Sequence, residues 1–297
     1  MVSKPLPSVT IGIPFHNAEP FLLDAIRSVF AQTHEDWELI LMDDGSTDRS
    51  LDVARSIKDP RVRVYSDGEN KRLASRLNQI HRLAKYDFVA RMDADDMMSP
   101  KRIERQVSFL VDHPEVDLVS TGVCTISDSG MPVARRAPPI GGCRRLTARE
   151  ALLGKTGIVH ASIVARKDWV LRNAYDEQAK LSQDYKLWVS AALKEDLSVG
   201  FIKDPLYYYR EEGSVTPQKM LSGYSTRRKA LSEHAKGLLP SHQIAAAYAS
   251  SYFRSGVVVL SRMMGVSKYL VRFRSASLLA EEEAEEIRQK IALVRDH

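Results

Sequence analysis

The sequence predicts an α/β protein: a doubly wound, mostly parallel sheet covered by helices on both faces, with a helical extension at its C-terminal end. Three observations predict it. From residue 9 to residue 121, β-branched apolar runs alternate with segments whose apolar residues recur at helical spacing. Strand starts recur roughly every 25–30 residues, the length of a βαβ unit, and such alternation winds helices onto both faces of a parallel sheet. From about residue 219 the strand signals give way to a helical, basic and apolar pattern.

VTIGIP (9–14) is a β-branched run closed by Pro14. Residues 20–32 follow with Phe21, Leu22, Ala25, Ile26, Val29 and Phe30 at helical spacing. ELILMD (38–43) reads as a buried strand, and Asp44-Gly45-Ser46 as its exit turn. A helix is expected from Asp48 to Ile57, capped by Ser46 or Thr47. RVRVY (61–65) is a strand, residues 72–85 fit a helix, and DFVARM (87–92) is a strand. Pro100 opens a helix near its first turn, running to about Val111. VDLVST (116–121) is a fifth strand. Asp128-Ser129-Gly130 then signals a hairpin turn. Residues 131–146, rich in proline, glycine and arginine, are expected to form a mobile loop. Residues 147–210 return to mixed helix and strand. A boundary is expected near 215, and an acidic-faced helix around 281–294.

The 297 residues are 44% apolar and 27% charged, which excludes a disordered or low-complexity chain and allows one large domain or two small ones. With two cysteines, Cys124 and Cys143, no disulfide framework is expected, which suits a reducing compartment. Neither a targeting signal nor a membrane-spanning run is expected. The net charge of +5 is uneven: residues 219–274 hold ten Lys/Arg and one acid, Glu233, which leaves the remainder of the chain net acidic. That basic stretch also carries Tyr224, Tyr248, Tyr252, Phe253, Val257–Leu260, Tyr269 and Phe273.

Asp93-Ala94-Asp95-Asp96 directly follows the strand 87–92, and ligands of open α/β sheets bind beyond the carboxyl ends of strands. Two aspartates one residue apart at such an edge can grip a divalent cation, since Mg²⁺ and Mn²⁺ prefer hard oxygen ligands. An acidic loop capping the next helix fits the same residues equally well. Asp43-Asp44 sits in the same kind of place. A carboxylate there can accept a hydrogen bond from a nucleobase or a ribose, or simply form an Asx turn. Pro14-Phe15-His16-Asn17 lacks the Gly-x-Gly-x-x-Gly dinucleotide fingerprint, and no phosphate-loop motif occurs, which weighs against an NAD enzyme and a phosphate-loop NTPase. Asp184, at the start of an apolar helix, reads singly as a cap. Arg210 reads as a surface residue, and His160 as a packed histidine.

The order and spacing of these segments together are specific. The sequence resembles the inverting nucleotide-sugar glycosyltransferases of family 2, over roughly residues 8–215. The resemblance is strongest in VTIGIPFHNAEPFLLDAIRSVFAQTHEDWELILMDDGSTDRS and LNQIHRLAKYDFVARMDADDMMSPKRIERQ, and extends to VHASIVARKDWV, LSQDYKLW and LYYYREEGSVT. It implies a GT-A fold in residues 1–215. Residues 1–121 would be its nucleotide-sugar half and 122–215 its acceptor half, followed by a basic helical region, 216–297. It implies that Pro14, His16 and Asn17 flank the base and ribose, and that Asp44 contacts the base with Asp43 in support. Asp93 would contact ribose or metal, and Asp95 would be the direct ligand of Mn²⁺ or Mg²⁺. Asp184 matches the catalytic base. His160, Trp188 and Arg210 match positions near the acceptor or the donor's diphosphate. Two departures stand out. Gln183 replaces a frequent Glu, and Arg72 replaces a frequent Gly and can itself reach the diphosphate.

The resemblance further implies transfer from a UDP-sugar to a hydroxyl of a lipid-linked saccharide, in bacterial O-antigen, capsule or exopolysaccharide synthesis. Such an enzyme works in the cytoplasm, peripherally on the inner membrane. A metal stabilises the leaving diphosphate, and an ionised aspartate accepts the acceptor's proton. Two alternatives stay open at this point: a sugar nucleotidyltransferase, and a catalytically degenerate scaffold with the same fold. The basic stretch fits either a packed helical subdomain with a solvated face or a contact with an anionic membrane. No motif supports nucleic acid as a partner.

Overall fold

The computed structural model describes residues 5–211, 216–264 and 277–297. The boundary expected near 215, the end of LYYYREEGSVT, Tyr269 and Phe273 lie outside the described residues. The N-terminal half opens with β1 (Val9–Phe15), α1 (Leu22–Phe30), β2 (Trp37–Asp43), α2 (Ser50–Ser56) and β3 (Val62–Tyr65). It continues with α3 (Arg72–Leu83), β4 (Phe88–Arg91), β5 (Met97–Met98) and α4 (Arg102–Asp112). The second half comprises β6 (Leu118–Ile126), β7 (Pro132–Arg136), β8 (Gly142–Arg145), α5 (Ala148–Leu152), β9 (Val164–Arg166), α6 (Lys167–Arg172), α7 (Gln183–Leu193) and β10 (Ser198–Arg210). Helices α8 (Pro217–His234) and α9 (Ser241–Met263), strand β11 (Ser277–Leu278) and helix α10 (Glu281–Arg295) complete the described chain.

All the strands belong to one sheet, whose main path runs β11-β7-β6-β9-β4-β1-β2-β3. β1 pairs in parallel with β2 and β4, and β2 with β3. β9 is inserted antiparallel between β4 and β6, so those two strands keep the same direction without touching. β10 then pairs in parallel with β6 along its length. The mostly parallel, doubly wound sheet is therefore present, with β9 as the reversal that joins its halves.

Side-chain alternation explains why both faces are covered. Val9, Ile11 and Ile13 point into a core with Leu22, Ile26, Ile103 and Val107 of α1 and α4. Leu77, Trp169, Leu187 and Trp188 of α3, α6 and α7 build the core on the opposite face, where Leu231, Ala235 and Leu239 also pack. A third cluster holds α10 through Ile287, Ile291 and Val294 against Cys124, Ile126 and Tyr208. The segment after residue 216 thus packs in two places: the C-terminal end of α8 lies on the second core, and α10 returns to the sheet.

Two expectations are corrected. Residues 131–146 are not a mobile loop: β7 pairs antiparallel with β6, and β8 with β10. Pairing along a long central strand outweighs poor local propensity, and Pro132 sits at the first residue of its strand, where a missing N–H costs little. The hairpin turn itself is present, with Gly130 N–H donating to Ser127 O at 2.8 Å. Neither Ser46 nor Thr47 caps α2, which starts at Ser50 without a side-chain cap. Both are held instead by the end of β1: Asn17 N–H donates to Ser46 Oγ, and Thr47 N–H to Asn17 Oδ1.

Candidate active site

Parallel register sets the carboxyl ends of β1, β2 and β4 side by side. Pro14 lies opposite Met42 and Phe15 opposite Asp43, and Met92 N–H donates to Gly12 O. The three loops that leave these strands carry His16-Asn17, Asp44-Gly45 and Asp93–Asp96. Pro14 is buried in the sheet, while His16 is exposed with Asn70 Nδ2 at 3.5 Å from both its ring nitrogens. Asn17 adopts φ +50°, and its Oδ1 accepts from Thr47 and Asp48, locking the β1 and β2 exits together.

The two β2 carboxylates are fully engaged. Asp43 accepts from Ser46 N–H at 3.0 Å and Ser66 Oγ at 2.7 Å. Burial pushes its pKa up, but those hydrogen bonds prevail and hold it below the ordinary value. Asp44 accepts from the backbone N–H groups of Lys71 and Arg72, at the head of α3, and from Arg76 Nε at 2.9 Å. Arg76 is almost wholly buried, and its other nitrogens reach Asp67 and the carbonyl of Glu69. Gly45, at φ +73°, makes the intervening turn against the Glu69 backbone. Asp44 therefore caps α3, twenty-eight residues away, rather than the helix that follows it. Arg72 itself is exposed and sits at φ +68°, a conformation that suits glycine.

After β4 the arrangement differs. Asp93 Oδ1 accepts from Arg91 Nη2 at 2.5 Å, and Asp93 N–H donates to Tyr207 Oη. Asp96 is completely buried, accepting from Tyr207 Oη at 2.7 Å and Arg210 N–H at 2.7 Å. Burial, with repulsion from Asp95 and Asp93, pushes the Asp96 pKa well above its usual range. Asp95 is half-buried, and among the described residues no side chain donates to its carboxylate, which meets only its own backbone N–H. Burial and the neighbouring Asp93 push it up to about 6. The acidic loop does not cap α4, whose N-terminus has no side-chain cap. A crowded, unpartnered carboxylate beside a second one is a fitting oxygen donor set for a hard divalent cation.

Asp184 lies in the first turn of α7, behind Ser182 at φ +60°. It is half-buried and accepts no hydrogen bond from any described residue, so it is not a cap. His160 Nε2 lies 2.6 Å from Tyr175 Oη, and its ring meets Trp188 edge-on at 5.8 Å. Burial and the nearby Arg91 and His81 hold His160 well below its usual pKa, so it is neutral at pH 7. Trp188 is buried and stacks on Trp169. Arg210 is not a surface residue. It is 2% exposed, donates to Asp95 O at 2.6 Å and Asp24 Oδ2 at 3.0 Å, and lies over the Phe21 ring. Arg295 of α10 donates to the same Asp24 oxygen, tying the end of the described chain to this site.

Arg91 links the two halves. Burial opposes its charge, but Asp93, Tyr175, Tyr207 and Asp184 raise its pKa above the usual value. Its Nε and Nη1 are buried without a described partner. Sequence reasoning missed Arg91, along with Arg76, Asp67, Tyr175, His81 and Tyr207. The signal was present for the two arginines, each a cation on an otherwise apolar face. Open clefts flank the cluster. One of about 360 Å³ is lined by Tyr65, Ser66, Asp67 and Arg76, and one of about 520 Å³ by Tyr175, Tyr185, Lys186 and Lys229.

The model of "Glycosyl transferase family 2" matches residues 10–171, more than half of the chain. The putative glycosyltransferase EpsE of Bacillus subtilis is 38% identical over 143 residues, 47% of this chain and 51% of its own length. The chain thus spans about half of that relative. The O-antigen biosynthesis glycosyltransferase WbnJ of Escherichia coli is 26% identical over 238 residues, 78% of this chain and 90% of its own. Among solved structures, S. aureus TarS 1–349 in complex with UDP superposes with a TM-score of 0.60 at 16% identity, covering 82% of this chain and 70% of that one. Mannosyltransferase PcManGT from Pyrobaculum calidifontis, in complex with GDP-Man and Mn²⁺, gives 0.57 at 14% identity over 99% and 90% of the two chains. At these identities the structural likeness bears on the fold, which is GT-A. On the extent of the family match, this chain belongs to glycosyl transferase family 2.

Proposed function

We propose that the chain is an inverting glycosyltransferase that moves a sugar from a nucleoside diphosphate to a hydroxyl of a saccharide acceptor. The observation that carries this reading is the pairing, around buried Arg91, of the Asp93–Asp95 carboxylates with the unpartnered Asp184 carboxylate. Residues 1–121 bind the donor, residues 122–215 receive the acceptor, and residues 216–297 form a C-terminal region. His16 offers its exposed ring to the base, and Pro14, Asn17, Asp43 and Asp44 shape the base and ribose site. Exposed Arg72, at the head of α3, reaches the diphosphate.

Asp95 and Asp93 would hold a Mn²⁺ or Mg²⁺ ion, which supplies Lewis-acid stabilisation of the departing diphosphate. Arg91 fixes the orientation of Asp93, and Arg210 fixes the backbone of Asp95. On the opposite side, ionised Asp184 accepts the proton of the attacking hydroxyl as the new bond forms. A single displacement from the face opposite the leaving group inverts the anomeric carbon. Neutral His160, Tyr175 and Trp188 form a wall beside that base, with polar atoms suited to sugar hydroxyls.

The printed function of WbnJ, O-antigen biosynthesis, supports a place in bacterial surface-polysaccharide synthesis, and the TarS complex supports UDP as the nucleotide. The PcManGT complex supports Mn²⁺. We place the enzyme in the cytoplasm, with a lipid-linked acceptor reached by peripheral contact with the membrane. Among the described residues no helix is long and apolar enough to cross one. Calorimetric titration of UDP, GDP and dTDP, with and without Mn²⁺, tests the donor reading. One nucleotide is expected to bind in a metal-dependent way that Asp95→Ala abolishes. A folded protein that binds none of the three refutes it.

A further inference from the structure

Helix α9 packs its first half on the second core through Ile244, Ala247 and Tyr248, but along its second half it turns mainly serines inward. Its side toward α8 carries Ser251, Ser255 and Ser261, and Arg228 of α8 donates to Ser251 and Ser255. Val258 is the one large apolar side chain of α9 that the structure buries, at 2% exposure, among the described residues. The outward side carries Tyr252, Phe253, Val257, Leu260, Met263 and Met264, with Phe253 73% exposed and Met263 80% exposed. Phe253, Val257, Leu260 and Met264 recur at helical spacing and so form one stripe. Contiguous exposed apolar surface of this kind marks an interaction site.

Its charge identifies the partner. Residues 234–280 contain six Lys/Arg and no carboxylate, and Arg254 and Arg262 of α9 are exposed. Arg228 adds a third cation over the Tyr252 ring, at 4.5 Å. A second copy of this face would bring cations against cations with no acid between them. Most acids of α10 are already engaged: Glu283 pairs with Arg135, Glu281 and Glu285 with Arg288, and Glu286 with Lys290, which leaves Glu282 against the six cations. A nucleic acid would satisfy the cations but gains nothing from aliphatic Val257, Leu260 and Met263. Anionic lipid satisfies both, with acyl chains for the stripe and headgroups for the cations.

We propose that the outward face of α9 is the membrane-docking surface of this enzyme, seated on anionic phospholipid with Phe253 and Leu260 inserted at the headgroup boundary. Helix α8 stands between α9 and the cleft beside α7, so docking would present the Asp184 side of the molecule to a lipid-linked acceptor. This deepens the peripheral-contact reading above and rests on it.

The test is flotation of the full chain with phosphatidylcholine vesicles, with and without phosphatidylglycerol at about a third of the lipid. Wild type is expected to float with the anionic vesicles at low salt and not with the neutral ones. Phe253→Asp/Leu260→Asp should lower the vesicle-bound fraction at least about tenfold, since the inserted apolar area is what holds such a helix. Arg254→Glu/Arg262→Glu should lower binding to anionic vesicles as well. Both double variants are expected to keep the wild-type Tm and nucleotide affinity. Wild type that does not float, or a Phe253/Leu260 variant that floats as well as wild type, overturns the proposal. So does a wild-type dimer that this variant converts to a monomer while neither binds vesicles. Nucleotide titration of the same preparations separates the readings: vesicle binding without nucleotide binding refutes the donor assignment and leaves the docking surface standing.

Discussion

At the end of β2, Asp43 and Asp44 accept hydrogen bonds from two loops, a helix head and a buried arginine. At the start of α7, Asp184 accepts none from any described residue. Both regions present aspartates near the same cluster, yet the first is held by the fold and the second is held out for something else. A carboxylate whose lone pairs are filled by the protein positions the chain. One whose lone pairs the protein leaves open is available to a ligand. The difference teaches that the acids after β2 are consumed in building the fold, whereas the acid at the head of α7 is not.

Substitution separates these roles. The largest effect is expected at Asp184. Asp184→Asn should lower transfer by about 10²–10⁴-fold, the usual contribution of a general base, and leave Tm and nucleotide affinity unchanged. Turnover within a few-fold of wild type would break the contrast. Asp44→Asn should behave in the opposite way. It weakens the cap on α3 and faces buried Arg76 with an amide, so unfolding free energy should fall by about 3 kcal/mol in urea melts. A variant as stable as wild type would show that the β2 exit is not structural.

Acid titration is expected to give the next effect. His81 is wholly buried, and burial, Arg91 and Arg82 lower its pKa to about 3. A histidine held neutral in the fold takes up protons more readily when unfolded. Its contribution to stability is therefore complete above pH 6.5 and is lost as pH falls toward 3. At pH 5 this amounts to about 2 kcal/mol, and His81→Gln should remove that part of the acid loss. Equal acid sensitivity in the variant would contradict it.

The smallest effect sharpens the donor side. Asp95 is raised to about 6 by burial and Asp93, so its ionised form destabilises the metal-free protein above that pH. Without metal, Asp95→Asn should raise Tm by a few degrees at pH 7.5, from about 1 kcal/mol of relieved repulsion, and give no gain near pH 4. A lower Tm at pH 7.5 would mean that Asp95 has a stabilising partner.

Much of the donor side was legible in the sequence. β1, β2 and β4 are continuous apolar runs, as strands buried on both faces must be, and their exits carry the charged loops where an open α/β sheet binds its ligands. Arg210 was misread as a surface residue because nothing local marks it. Asp24 and Asp95, which hold its guanidinium, lie more than a hundred residues away. Residues 131–146 looked like a loop because prolines and glycines dominate local propensity there, while the pairing that orders them comes from β6 and β10.

The sequence by itself determined the alternation of elements and the placing of acidic loops directly after the strands that became β2 and β4. These follow from periodicity and from positions fixed by neighbours in the chain. Tertiary structure alone decided that Asp44 caps α3, that β9 runs antiparallel between β4 and β6, and that buried Arg91 pairs with Asp93 within the field of Asp184. It also decided that the second half of α9 turns serines inward and leaves Phe253, Leu260 and Met263 exposed. Each of these depends on which distant segment a side chain meets, and local periodicity carries no information about that meeting.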